Sequence, residues 1–279
     1  MAMGTRHELD LPDGRRLVAY EDGPASADVV VWHHGSPQSG ELLPPVVAAA
    51  RARGLRVVSA ARAGYGGSTR LPGRTVADAA VDVGHVLDAL GAARCLAVGA
   101  SGGGPHALAL AALRPDVVSG AVTLAGVAPF PGRGGDTDWF AGMADDGGLR
   151  SALDGPAARE RHGETAEFDE SSFTADDRAA LAGAWAALGA DAARSGQAWP
   201  GGQVDDDVAF VRPWGVALDA VAAPTLVVQG GADRVVPRHH ADLLVDALPA
   251  AELWLRPRDG HISVLAALPV ALDWWRSAT

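Results

Sequence analysis

The stretch CLAVGASGGGPHALALAALRP, Cys95 to Pro115, constrains the chain more than any other. An apolar, strand-like run (RCLAVGA) turns directly into a helix-like one (GPHALALAALRP), with a serine among glycines at the corner. Glycine weakens a strand or helix by roughly 0.5–1 kcal/mol relative to alanine, so three in a row need a steric reason. Gly99-Ala100-Ser101-Gly102-Gly103 fits G-x-S-x-G between strand and helix, a setting in which the serine is held on a strained turn with its hydroxyl exposed. The following helix aims its first N–H groups at the same spot, which favours a developing negative charge. Pro105 suits the first helical turn, where no N–H is missed. The competing reading is a glycine-rich turn with an incidental serine, and the pentapeptide alone does not separate the two.

The surroundings narrow the choice. Residues 7–21 read as two strands joined at Asp13-Gly14. Short apolar runs then alternate with helical patterns: DVVVWHHG with LLPPVVAAARARG, closed by Gly54, and LRVVSA with VADAAVDVGHVLDALG. Thr75 is the expected cap of the latter, with Val76, Ala79, Val83, Val86, Leu87 and Leu90 on one face. SGAVTLAGVAPF, APTLVVQGGAD and AELWLRPRDGH are further strands, and SVLAALPVALDWW a last helix. This alternation predicts an α/β fold, a mostly parallel eight-stranded sheet flanked by helices on both faces. The rhythm stops between Pro129 and about Ala217. The expected organisation is therefore a core of residues 1–129 and 218–279 and a helical cap of residues 130–217 inserted after the sixth strand. Within it TADDRAALAGAWAALGADAARSG reads as one helix, with Thr174 as N-cap and Leu181, Trp185 and Leu188 on a stripe.

Serine is a weak nucleophile unless a histidine takes its proton and an acid orients the histidine. Asp233 follows the strand TLVVQGGAD and His261 follows LWLRPRDGH, both at the C-terminal ends of predicted parallel strands, where ligands bind in such sheets. The chain order Ser101, Asp233, His261 is that of the α/β-hydrolases. Asp259 is a competing acid, but it is so close in sequence to His261 that reaching Nδ1 is difficult.

With these residues in place, the sequence resembles a capped α/β-hydrolase over nearly all of the chain outside the cap. HHGSPQSG (His33–Gly40) resembles the family's H-G-x-P loop, and ARAGYGGS its R-x-G-x-G-x-S loop. PWGVALDAVAAPTLVVQGGADRVVP resembles the segment leading to the acid. The resemblance implies an oxyanion hole from the backbone N–H groups of Ser36 and Gly102, and no cofactor or metal. Ala61 departs from the family pattern, standing where many members carry an aspartate. A serine nucleophile, rather than an aspartate, argues against the dehalogenase and epoxide-hydrolase branches.

Other residues carry duller expectations. His34 reads as a loop brace, His33 as no metal ligand with its neighbour, His106 as packing, and His239-His240 as solvated. Cys95, the one cysteine, reads as buried and inert, and excludes an internal disulfide. The net charge of −11 argues against nucleic acid or an anionic membrane as partner. No signal peptide or spanning run is evident, so a cytoplasmic protein with a small-molecule substrate is expected, and a homodimer is compatible. The cap holds sixteen acidic residues against seven arginines, read as a solvated acidic surface, with Asp205-Asp206-Asp207 as an alternative cation site. Trp139, Trp185 and Trp214 are expected to bind substrate under the lid, with Gly132, Gly134 and Gly135 as hinge.

The resulting expectation is a serine hydrolase cleaving an ester-like or related carbonyl bond of a small, apolar or neutral substrate. Alternatives are an aminopeptidase holding an α-ammonium group at Asp205 or Asp207, a C–C bond hydrolase, and a non-hydrolytic lyase or ligand-binding scaffold. The chain has no lysine, against the lysine-assisted lyases of this fold.

Overall fold

The computed structural model describes residues 4–25, 27–132 and 138–278. Strands β1 (Thr5–Asp10), β2 (Arg16–Asp22), β3 (Val29–His33), β4 (Arg56–Ala60), β5 (Cys95–Ala100), β6 (Val118–Leu124), β7 (Thr225–Gly230) and β8 (Ala251–Arg256) make one eight-stranded sheet. Its order is β1-β2-β4-β3-β5-β6-β7-β8. Only β2 runs against its neighbours; β4 through β8 are parallel. The β1–β2 pair turns at Asp13-Gly14, where Gly14 has a φ of +83°.

Helices α1 (Pro44–Arg51), α2 (Val76–Ala89) and α3 (Gly103–Leu113) follow β3, β4 and β5. Then α4 (Gly147–Ala152), α5 (Pro156–Gly163), α6 (Ala175–Ala182), α7 (Ala186–Ala198) and α8 (Pro200–Phe210) intervene between β6 and β7. Helices α9 (His239–Ala247) and α10 (Leu268–Ala278) complete the chain. Side chains alternate across a strand, and β3 shows the result. Val29 and Val31 join the layer under α2, α3 and α9, while Val30 and Trp32 join the layer under α1 and α10. Both faces are covered, so β3, β4, β5 and β7 are buried throughout and read as unbroken apolar runs rather than alternating ones.

Thr75 caps α2 with Asp78 in a reciprocal capping box, and the expected apolar face is buried, with Leu90 packed at its edge. The single helix expected after Thr174 is instead two. The break falls at Gly183, so α7 starts after Trp185, yet Leu181, Trp185 and Leu188 still pack in one apolar layer. Gly132 has a φ of +90°; Gly134 and Gly135, the other expected hinge positions, lie outside the described residues. Among the described residues no helix is long and apolar enough to cross a membrane.

Candidate active site

Strand β5 ends at Ala100 and the chain reverses through Ser101, whose φ of +53° lies in the left-handed region that a residue with a Cβ enters only under constraint. The Ser101 N–H donates to the Leu124 carbonyl at 2.8 Å, and its carbonyl accepts from Gly104 at 2.9 Å, which holds the turn. The glycines have a steric reason: a Cβ on Gly99 would collide with the Gly103 carbonyl, and one on Gly103 with the carbonyl of His33. Strand, helix and the loop after β3 meet backbone to backbone.

Asp233 lies just past β7 and His261 just past β8. His261 Nδ1 is 2.8 Å from Asp233 Oδ2. The other carboxylate oxygen, Oδ1, accepts the N–H groups of Val235 and Val236 at 2.8 and 2.9 Å, and Gln229 donates to Oδ2 at 3.3 Å. Burial works to lower the pKa of His261, but the charge and hydrogen bond of Asp233, with the charge of Asp177, outweigh it and hold the imidazole above its ordinary 6.5. Asp259 is engaged by Arg256 and is not the partner of His261 Nδ1.

Ser101 and His261 open onto one cavity of about 650 Å³, together with Gly35, Ser36 and Gln38 of the loop after β3. Its apolar wall comes from Phe168, Phe173, Leu181 and Leu188 of the insertion and from Ile262 and Leu265. Gly102 caps α3, and a Cβ there would lie 2.6 Å from Ser36 Oγ, so the two residues expected as oxyanion donors are adjacent. His34 braces this loop: its Nε2 accepts from the Arg62 N–H at 3.1 Å, which leaves Nδ1–H to donate to the Gly35 carbonyl at 2.8 Å. Burial and the Arg62 charge hold His34 neutral.

The three tryptophans require correction. None is among the described residues lining this cavity. Trp139 is buried against His240 and Phe140 and donates to the Ala128 carbonyl at 3.0 Å; Trp185 and Trp214 are buried in the apolar layers on opposite faces of the sheet. Large rings near a lid serve packing here, and smaller apolar side chains take the wall.

The acidic triplet also reads differently. Asp205 pairs with Arg70 at 2.7 Å and Asp207 with Arg159 at 2.6 Å. Asp206, fully buried, is gripped by Arg62 at 2.7 Å and Arg74 at 2.5 Å, and accepts from Tyr65 at 3.0 Å and from the Ser36 hydroxyl. Burial would raise its pKa, but the two guanidinium charges hold it well below the ordinary range, while burial pushes Asp207 up to about 6. The triplet is a set of ion pairs, Asp205 and Asp206 to the body and Asp207 to α5 within the insertion, and no three acidic or metal-ligating side chains among the described residues form a metal cluster. His240 is buried, not solvated: Nδ1 accepts from the Ala128 N–H at 3.2 Å and Nε2 donates to the Trp139 carbonyl at 3.0 Å. Cys95 is buried in β5, with its thiol pushed up to about 12.

Asp177 is not marked by the sequence as a site residue, and Asp206 is marked there only as part of an alternative cation site, not as the anchor of Arg62, Arg74 and Ser36. The spacing Thr174-x-x-Asp177 signals a helix start, but nothing in it announces a second partner.

Comparison with known proteins places these features in a wider set. A model of the alpha/beta hydrolase fold family matches residues 28–267. Among characterised proteins, epoxide hydrolase B of Mycobacterium tuberculosis is 34% identical over 126 residues, which is 43% of this chain and 35% of that protein. A crystallised hydrolase from Pseudomonas aeruginosa superposes with a TM-score of 0.70 at 23% identity, covering 98% of this chain and 97% of its own. A thermophilic esterase from Thermogutta terrifontis gives 0.69 at 19% identity, covering 98% and 99%. A bromoperoxidase from Bacillus anthracis gives 0.75 at 22% identity, covering 98% and 100%.

Proposed function

Because the chain belongs to the α/β-hydrolase fold family, we propose that it is a serine hydrolase cleaving an ester-like carbonyl bond of a small, largely apolar or neutral substrate. Ser101 Oγ attacks the carbonyl carbon while His261 Nε2 takes its proton, and Asp233 stabilises the imidazolium through Nδ1–H. The carbonyl oxygen becomes anionic against the N–H groups of Gly102 and Ser36, each such donor contributing about 3 kcal/mol at the transition state. His261 returns the proton to the leaving group. Water activated by the same imidazole then opens the acyl-enzyme and frees Ser101. Residues 130–217 act as the lid of this cavity, and their apolar side chains select the acyl part.

One observation carries the reading: the buried His261–Asp233 pair, 2.8 Å apart, opens onto the same cavity as a serine on a left-handed turn. The aminopeptidase alternative loses its footing, since Asp205 and Asp207 are already occupied by arginines. Epoxide hydrolysis is suggested by the partial match to epoxide hydrolase B. Chemistry opposes it, because serine attack on an epoxide would leave an alkyl ether with no carbonyl for water to attack.

The test is fluorophosphonate labelling together with turnover of short activated esters by wild type and Ser101→Ala. Labelling of Ser101 and loss of turnover by a factor on the order of 10⁴ or more in the variant are expected. Full activity in Ser101→Ala overturns the assignment, and epoxide opening by that variant would favour the second reading.

A further inference from the structure

Resting on the serine-hydrolase reading, we infer that Asp177, carried by the inserted segment, is the positioning residue that fixes the backbone of His261.

An aspartate three residues into a helix needs only the donors of its own N-cap. Asp177 meets that duty with Oδ2, which accepts the Thr174 N–H and hydroxyl, both at 2.9 Å. It goes much further. Oδ1 accepts the N–H groups of Ile262 and Ser263, each at 2.8 Å, and the Ser263 hydroxyl at 2.9 Å, while Oδ2 also takes the N–H of His261 at 3.2 Å. One carboxylate therefore caps two helical turns, α6 and the short 3₁₀ turn at Ser263–Ala267. The local sequence is shaped for the approach: a Cβ on Gly260 would collide with the Asp177 carboxylate.

The consequence for the base is geometric. Three consecutive N–H bonds fix the path of the chain through His261, and so the direction of its Cα–Cβ bond. Asp233 fixes the ring from the far side through Nδ1. Neither partner alone determines where Nε2 points, and misplacement of a reacting group by about 1 Å can cost as much as 10²-fold in rate. Asp177 is wholly buried, and its donors outweigh burial to keep it ionised, its pKa below the ordinary value. Its negative charge also favours the imidazolium that forms at the transition state. Any movement that swung α6 away from the body would carry off the support of the base.

Asp177→Asn keeps the size of the side chain, but its amide nitrogen cannot accept from the loop. We expect kcat to fall about tenfold or more with KM unchanged. The acid limb of the rate profile should move to lower pH, because His261 loses a favourable negative charge and keeps Asp233. The His261 imidazole, titrated by NMR in a Ser101→Ala background, should shift the same way without needing turnover. An unmoved titration and unmoved limb, with only thermal stability lowered, overturns the inference. Thr174→Ala weakens the same helix start while leaving every loop bond in place. It should cost stability but not kcat, and a variant as slow as Asp177→Asn overturns the inference. If Asp177→Asn does not fold, Ser263→Ala removes the hydroxyl that donates to Asp177 and accepts the Gly260 N–H: a lower kcat at constant KM supports the role and an unchanged kcat overturns it. Full activity in Ser101→Ala would overturn the serine-hydrolase reading and leave the His261 titration to decide on Asp177.

Discussion

In the body, β3, β4, β5 and β7 lie buried between two apolar layers, whereas the inserted segment divides its apolar side chains among three clusters, with Phe210 and Trp214 on one face of the sheet, Trp185 on the other and Trp139 and Phe140 in a third, and adds buried carboxylates that reach the body. Asp191 accepts from the Ser39 N–H at 3.0 Å, Asp206 holds Arg62 and Ser36, and Asp177 holds the loop after β8. Each of these acids ends on a loop that borders the cavity or carries a site residue. Apolar layers are non-directional and fix where the sheet is. Buried carboxylates are directional and fix where individual backbone atoms point. The segment that looks least regular in sequence thus supplies much of the angular precision at the site.

The predictions test that division. The largest effect belongs to the body. Asp233→Asn keeps the shape of the pair but favours the wrong histidine tautomer, and kcat should fall by about 10⁴ in steady-state assays. In wild type, the acid limb of kcat/KM should have its midpoint above 6.5, since only the neutral imidazole accepts the serine proton and its pKa is raised. Next comes Asp206→Asn, which strands Arg62 and Arg74 without their counter-charge. It should lower stability by about 3–5 kcal/mol in denaturant melts at neutral pH. The folded pKa of Asp206 is depressed, so its contribution is present above 3.8 and lost as pH falls through the lower folded value; the gap between variant and wild type should close in acid. A penalty equal to that of a surface pair would break the comparison.

A smaller effect is expected at the cavity wall. Phe173→Ala should change the preference for acyl-chain length by about 1–3 kcal/mol, read as kcat/KM ratios across a series of esters. Trp139→Ala should leave that preference alone and lose stability instead. The smallest belongs to Arg70→Ala. Arg70 pairs with Asp205, but its side chain is 38% exposed, so the change should cost about 1 kcal/mol or less in the same melts.

Much of this was legible in the sequence for identifiable reasons. Strand–helix alternation is a period-2 and period-3.6 signal written by burial itself, and it yields the parallel sheet. The serine corner is legible as a five-residue pattern, Gly99–Gly103, in which Gly99 answers a clash inside the corner, while Gly102 and Gly103 answer to the loop after β3. Asp233 and His261 could be named because a parallel sheet brings the ends of β7 and β8 together whatever lies between. The insertion offered no such rule. Trp139, Trp185 and Trp214 carry the same apolar surface whether they line a cavity or fill a core, and only packing assigns them.

What the sequence by itself determined, then, is whatever rests on short-range sterics and on the periodic burial of side chains: the sheet, the corner, the N-caps at Thr75 and Thr174. What only the tertiary structure decided is the pairing of charges across long separations. Asp177 meets its loop 84 to 86 residues along the chain, and Asp206 meets Arg62 at a separation of 144. A carboxylate has the same one-letter code in solvent and in the interior. Its energy depends on which cations and N–H groups the fold carries to it, and that is a property of the closed chain.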